Sequence, residues 1–213
     1  MKQIKIGDRY CYDDWGAFLA PGWSLSSAEA KTEIVEVPGR DGVIDLSEVL
    51  TGEVRYNNRY FRCQLIVPPP RKNWEETRRE IEQHCNGKRV KIWTPESDTH
   101  HAIGRVSCDF MINRTHAVMT LTADCEPWLY RNNETVLNIC VEHIFEGNLY
   151  NDFRRVMPTI ETSNHIVITV NDVRYGVMAG KKYRGDIILN AGDNAFKIEG
   201  HANVKISYQE AIL

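Results

Sequence analysis

Long apolar runs are missing from this sequence. No stretch approaches the roughly 20 consecutive apolar residues that a membrane-spanning helix needs, so membrane insertion is not expected. A surplus of either charge is missing too: 26 Lys and Arg stand against 29 Asp and Glu, a formal net charge of −3. Nucleic-acid binders draw affinity from a basic field that neutralises phosphates, so no specific nucleic-acid binding is expected. The six cysteines (Cys11, Cys63, Cys85, Cys108, Cys125 and Cys140) form no Cys-x-x-Cys pair. That removes the spacing of common zinc and thioredoxin-like sites. The polar start Met1-Lys2-Gln3-Ile4-Lys5 does not read as a secretory leader. The thiols are therefore expected to be free and mostly buried, acting as small hydrophobes in a protein made in a reducing cytoplasm.

Catalytic signatures are equally scarce. There is no Gly-x-Ser-x-Gly elbow, no Gly-x-x-x-x-Gly-Lys loop and no Gly-x-Gly-x-x-Gly turn. Gly39, Arg40 and Gly42 could suggest an anion loop, but no well-capped helix follows to supply the dipole. His100 and His101 are adjacent, and neighbouring residues in a strand point to opposite faces, so they do not form a metal pair. Asn113-Arg114-Thr115 and Asn133-Glu134-Thr135 match the glycosylation acceptor pattern but carry no weight in a protein made in a reducing cytoplasm. Arg184-Gly185-Asp186 is short enough to arise by chance. No cofactor, no metal and no enzymatic activity are expected.

What the sequence does hold is β pattern. Hydrophobic residues make up 42% of the 213 positions, enough for packed cores. Residues 3–10 read as a first strand. Residues 53–56 and 59–67 read as a hairpin around Asn57-Asn58, ended by Pro68-Pro69-Pro70, which cannot extend a ladder. Strands are expected at 90–93, 102–110 and 117–123, and a helical turn near 46–50. One helix is predicted over 73–86. Asn73 would be its N-cap and Glu76 would complete a capping box. Trp74, Ile81 and Cys85 would form its apolar stripe, Glu75 and Arg79 an exposed pair, and Gly87 the stop.

From about residue 132 the strands become short and closely spaced: 135–141, 159–160, 166–170, 173–178, 186–189, 195–199 and 204–208. Gly147-Asn148, Asn171-Asp172, Gly180, Gly192-Asp193-Asn194 and Gly200 read as turns between them. The pattern predicts a mainly β chain with domains at 1–131 and 132–213, the second a β-sandwich.

The organising stretch is Glu36-Val37-Pro38-Gly39-Arg40-Asp41-Gly42-Val43-Ile44-Asp45. Pro38-Gly39 suits the centre of a type II turn, and Asp41-Gly42 is a second turn signal. Upstream stands Asp14-Trp15-Gly16-Ala17-Phe18-Leu19. Downstream come Leu50-Thr51-Gly52, Tyr56, Arg59-Tyr60-Phe61, the helix before Gly87-Lys88 and the close Cys125-Glu126-Pro127-Trp128. Weaker marks follow at Met157-Pro158-Thr159-Ile160, Leu189, Gly192, Asn194, Ile198 and 204–213. In this order the residues resemble the distal tail protein family of long-tailed (siphovirus-type) bacteriophages and prophages. Trp128 stands where many relatives carry Tyr or Phe, which keeps the aromatic character.

The resemblance implies a β-barrel-like first domain with one helix and a galectin-like β-sandwich as the second. It implies a homo-hexameric ring in the virion at the end of the tail. The ring would join the tail tube protein to the tip or tail-associated protein, with DNA passing through its lumen. Trp15 and the turn Pro38, Gly39, Arg40, Asp41 and Gly42 are the expected interface residues. Trp23 and Trp128 also lie in turn-rich segments suited to an interface. The alternative reading is a monomeric carbohydrate-binding sandwich used for host attachment.

Overall fold

The computed structural model describes residues 2–49 and 52–213. The expected helical turn near 46–50 and the Leu50-Thr51-Gly52 mark therefore fall partly outside the described residues, at Leu50 and Thr51. The protein is mainly β, with one α-helix among the described residues. It forms two compact units, the first running to Leu129 and the second from Tyr130 to Ile212. No described helix is long and apolar enough to cross a membrane.

In the first unit the elements are β1 (Lys5–Ile6), β2 (Arg9–Tyr10), β3 (Phe18–Leu19), β4 (Ser24–Leu25), β5 (Ile34–Glu36), β6 (Val43–Asp45), β7 (Arg59–Val67), α1 (Trp74–Cys85), β8 (Arg89–Trp93), β9 (His100–Ile112) and β10 (Ala117–Cys125). The large sheet, curled as a half-barrel, runs β2-β1-β8-β9-β10-β7-β3, with β4 also on β7. Alternation makes its core. Along β7, Phe61, Cys63, Leu65 and Val67 are buried while Tyr60 and Arg62 are exposed, as a period of two dictates. The register then stacks Leu121 between Cys63 and Cys108, and Met119 between Leu65 and Phe110. Trp74, Ile81 and Cys85 of α1 complete this core. Gly104 leaves no room for a side chain against β10: a Cβ there would lie 2.9 Å from the Asp124 carbonyl oxygen and against Cys125 Sγ.

Four expectations change here. Residues 3–10 are not one strand but the β1–β2 hairpin, because Gly7 turns with φ +65° and donates its N–H to Lys91 O. No hairpin forms around Asn57-Asn58: both edges of β7 are already taken, by β10 on one side and by β3 and β4 on the other. Tyr56 bridges Ala30 instead. The capping box is absent too. Asn73 sits in a 3-10 turn over Arg71–Asn73 with helical backbone angles and no capping hydrogen bond. The entry is pinned by Trp74 Nε1 donating to Pro68 O at 2.8 Å. On the exposed side Arg78, not Arg79, makes the ion pairs, to Glu75 and Glu82.

The short strand β11 (Leu129–Arg131) spans the boundary, and the second unit holds β12 (Thr135–Val141), β13 (Ile144–Asn151), β14 (Thr159–Thr162), β15 (Ile166–Val170), β16 (Val173–Val177), β17 (Gly192–Gly200), β18 (Ala202–Tyr208) and β19 (Ala211–Ile212). A three-stranded sheet β12-β18-β14 and a four-stranded sheet β13-β17-β15-β16 bury alternate residues in one core with Ile160, Ile168, Ile198 and Ile206 at its centre. Asn171-Asp172 turns with φ +46° and +66°, the paired positive angles of a tight hairpin.

Gly147-Asn148, expected as a turn, is strand interior. Gly147 pairs with Phe196, and a Cβ there would lie 3.1 Å from the Phe196 ring and 3.3 Å from Phe145, so glycine marks ring packing and not a bend. Gly192-Asp193-Asn194 opens β17 instead of separating strands. The fully buried Asn194 shares its amide N–H groups among Leu149 O, Asn190 O and Gly192 O, and accepts from Asn190 N and Asn171 Nδ2. Residues 186–189 form no strand; only Leu189 pairs, in a bridge to Val156.

The cysteines are free, and five of them are in the first unit. Burial pushes the Cys63 and Cys11 thiols up, and Cys125 up to about 12. Cys108 shares a hydrogen bond with Cys85, Sγ to Sγ 3.7 Å, which together with burial holds its proton on. Alkylation needs thiolate. Iodoacetamide is therefore expected to label exposed Cys140 quickly and the other five only after denaturation, read by peptide mass spectrometry. Rapid labelling of Cys63 or Cys125 in the folded chain would contradict this packing.

Candidate assembly surface

From Ser26 to Asn58 no described residue is buried. This arm leaves the sheet after β4 and returns at β7. Its root is tied by backbone bonds: Asn57 N to Glu29 O and Lys31 N to Arg55 O. Arg59 adds two more, donating from Nε to Pro127 O at 2.7 Å and from Nη1 to Ser26 O at 3.0 Å. Tyr56 meets the edge of Trp128, ring centroids 5.7 Å apart.

Further out, Ser47 clasps the ribbon. Its hydroxyl accepts from Glu33 N and donates to Asp45, whose carboxylate also accepts from Ser47 N. These two bonds hold the Asp45 carboxyl below its usual range.

The ribbon itself is β5 paired with β6, with Ile34 opposite Asp45, Val35 opposite Ile44, and Glu36 opposite Val43. Directly opposite residues share a face. One face therefore carries Val35 and Ile44; the other carries Ile34 and Val43 beside Glu36 and Asp45. Both faces carry apolar side chains that are largely uncovered: Ile34 is 54% and Val43 52% exposed on one, and Val35 is 40% exposed on the other, beside a half-buried Ile44. A two-stranded ribbon is marginal in water without a third partner, and apolar side chains on both faces gain from being enclosed.

The turn closes the ribbon's tip. Arg40 N donates to Val37 O at 3.2 Å with Gly39 at φ +83°, the type II geometry expected of Val37-Pro38-Gly39-Arg40. Gly42 follows at φ +75°. Pro38, Gly39, Arg40, Asp41 and Gly42 are all exposed, and among the described residues Arg40 has no ion-pair partner.

Trp15 is placed elsewhere. It lies in the core of the first unit, 5% exposed, with its ring 5.4 Å from His84. Its segment is folded locally by Tyr10 N on Asp14 Oδ2 and Gly16 N on Tyr12 O, so the side chain turns inward and offers no surface. Trp23 and Trp128 are half-buried and serve the frame. The residues that sequence reasoning missed are the apolar ribbon side chains Ile34, Val35, Val43 and Ile44. β-rich residues on either side of a turn suit any strand pair, and only three-dimensional structure reveals that Ile34, Val35 and Val43 are exposed and Ile44 half-buried.

The class defined by these features is a two-unit, mainly β protein: a curled sheet with one helix and a projecting ribbon, followed by a β-sandwich. Among solved structures that fold recurs in the crystal structure of the Dit (gp 19.1) protein of phage SPP1, which its authors call a paradigm of the hub adsorption apparatus in phages infecting Gram-positive bacteria. The likeness has a TM-score of 0.69 and covers 99% of each chain at 13% sequence identity. No family model matches the chain, and no curated protein aligns with it.

Proposed function

We propose that this chain is a structural component of a phage or prophage tail tip, a hub that six copies build by closing into a ring. The observation that carries the reading is the ribbon of β5 and β6, with largely exposed apolar side chains on both faces in the isolated chain. The fold shared with the SPP1 hub protein supports it. A heterologous interface, in which one copy's arm lies on the next copy's body, closes cyclically when its rotation divides the circle. The tail tube protein would sit on one side of such a ring and the tip or tail-associated protein on the other.

The lumen would pass DNA without holding it. A net charge of −3 per copy repels phosphate instead of retaining it. On this reading the protein is made in the host cytoplasm, ends in the virion and catalyses nothing.

Solution mass by light scattering across a concentration series tests the assembly. A hexamer is the expected mass; a monomer at every concentration, including with tail tube protein added, would refute the ring. Arg40→Ala is expected to weaken assembly several-fold without unfolding the chain. Its backbone N–H, not its side chain, holds the turn, while its guanidinium is an unpaired charge at the tip of an otherwise acidic ribbon. Unchanged assembly would make the turn a purely local device.

A further inference from the structure

The two sheets of the second unit treat charge differently on their outer faces. On β13-β17-β15-β16 the ions satisfy one another: Lys197 reaches Glu146 at 3.5 Å and Glu199 at 3.3 Å, and Arg174 holds Glu199 at 2.9 Å. On β12-β18-β14 and the segment beside it the cations outnumber the carboxylate that could pair with them. The register sets Asn138, Lys205 and Glu161 in one cross-strand row, and Cys140 beside Asn203 in the next. Their side chains point out, since Ile139, Val204 and Ile160 between them are buried.

Residues 180–182 wall this floor along β14, where Gly180 N donates to Thr162 O. Floor and wall enclose a cleft of about 710 Å³, within the range of ligand pockets. Its lining carries three ammonium groups and one carboxylate. Lys182 and Glu161 neutralise each other at 3.1 Å. Among the described residues Lys181 and Lys205 have no ion-pair partner, and the side-chain amides of Asn138 and Asn203 have no hydrogen-bond partner.

We propose that this cleft binds an anionic saccharide. The two open ammonium groups take its acid groups, and the amide floor takes its hydroxyls, each amide offering donor and acceptor. The lining contains no aromatic ring. Single-stranded nucleic acid depends on such rings for stacking, so the charge is matched but the bases are not. The site lies within the second unit and does not depend on ring assembly.

The test uses the full chain and titration calorimetry with trigalacturonate. Maltotriose serves as the neutral control and a short oligothymidylate as a different anion. Trigalacturonate is expected to bind, more weakly as salt rises, and to protect Cys140 from alkylation. Replacing both Lys181 and Lys205 by Ala should cost at least about tenfold in affinity, since the charge contacts are the specific ones. Glu161→Gln should tighten binding by freeing Lys182.

Light scattering on the same variants must return the parent's mass, which keeps this result separate from any failure of the ring. No binding of trigalacturonate, equal binding of maltotriose, tighter binding of the oligothymidylate, or an unaffected double variant would each overturn the proposal.

Discussion

Ile34→Asp combined with Val35→Asp is expected to abolish assembly and leave a folded monomer. The two positions put one acid on each face of the ribbon, because neighbours along a strand point to opposite sides. Burying a Val or Ile side chain is worth about 1.5–3 kcal/mol, so each interface loses roughly 3–6 kcal/mol before the cost of enclosing two carboxylates is added. That corresponds to at least a hundredfold weaker association, repeated at every interface of a ring.

The chain itself should not notice. No described residue between Ser26 and Asn58 is buried, and both hydrophobic clusters are built without the arm. Circular dichroism and thermal unfolding should match the parent, while light scattering reports a monomer. An intact oligomer would rule the ribbon out as the interface. A monomer that no longer folds would show that the arm packs on its own body.

The contrast between ribbon and body also explains what the sequence revealed. Strands with one buried face were legible, because alternation is written directly into residues such as Phe61, Cys63 and Leu65, or Val204, Ile206 and Tyr208. The type II turn was legible because Pro38-Gly39 dictates its own angles. Pairing was not. The Asn57-Asn58 signal is a sound local hairpin, but β7 had already spent both edges on distant strands, and local sequence cannot report that. Gly147 misled for a related reason: a glycine demanded by two phenylalanine rings looks the same as a glycine demanded by a turn. Trp15 shows the limit for sites. A tryptophan in a turn-rich segment suits an interface as well as a core, and the choice depends on which way Asp14 and Gly16 fold the chain.

Arg59 is the position where frame and arm are tied together, and its loss should affect both. It is 8% exposed and faces carbonyl oxygens of Ser26 and Pro127, not a carboxylate. Burial pulls its pKa below the usual guanidinium value, yet it stays charged at any working pH. The charge is therefore held by two carbonyl dipoles, one where the arm begins and one where the first unit closes.

Arg59→Ala removes both donors and leaves a void. Hydrogen bonds to charged groups contribute about 1.5–3 kcal/mol each, with the usual non-additivity, so a loss of roughly 2–4 kcal/mol is expected in the first unit. For a chain of this size that lowers its melting temperature by roughly 5–15 °C. Arg59→Met keeps the bulk and loses only the donors; it should recover the part of the loss due to the void and none of the rest.

Both variants should also assemble more weakly, because the ribbon's root is no longer fixed when its faces are presented. The ribbon variant loses assembly at constant stability; the Arg59 variants lose the two together. If Arg59→Ala assembled normally while melting early, the arm would owe its placement to Tyr56 on Trp128 and the backbone bonds at Glu29 and Lys31, and Arg59 would serve the frame alone.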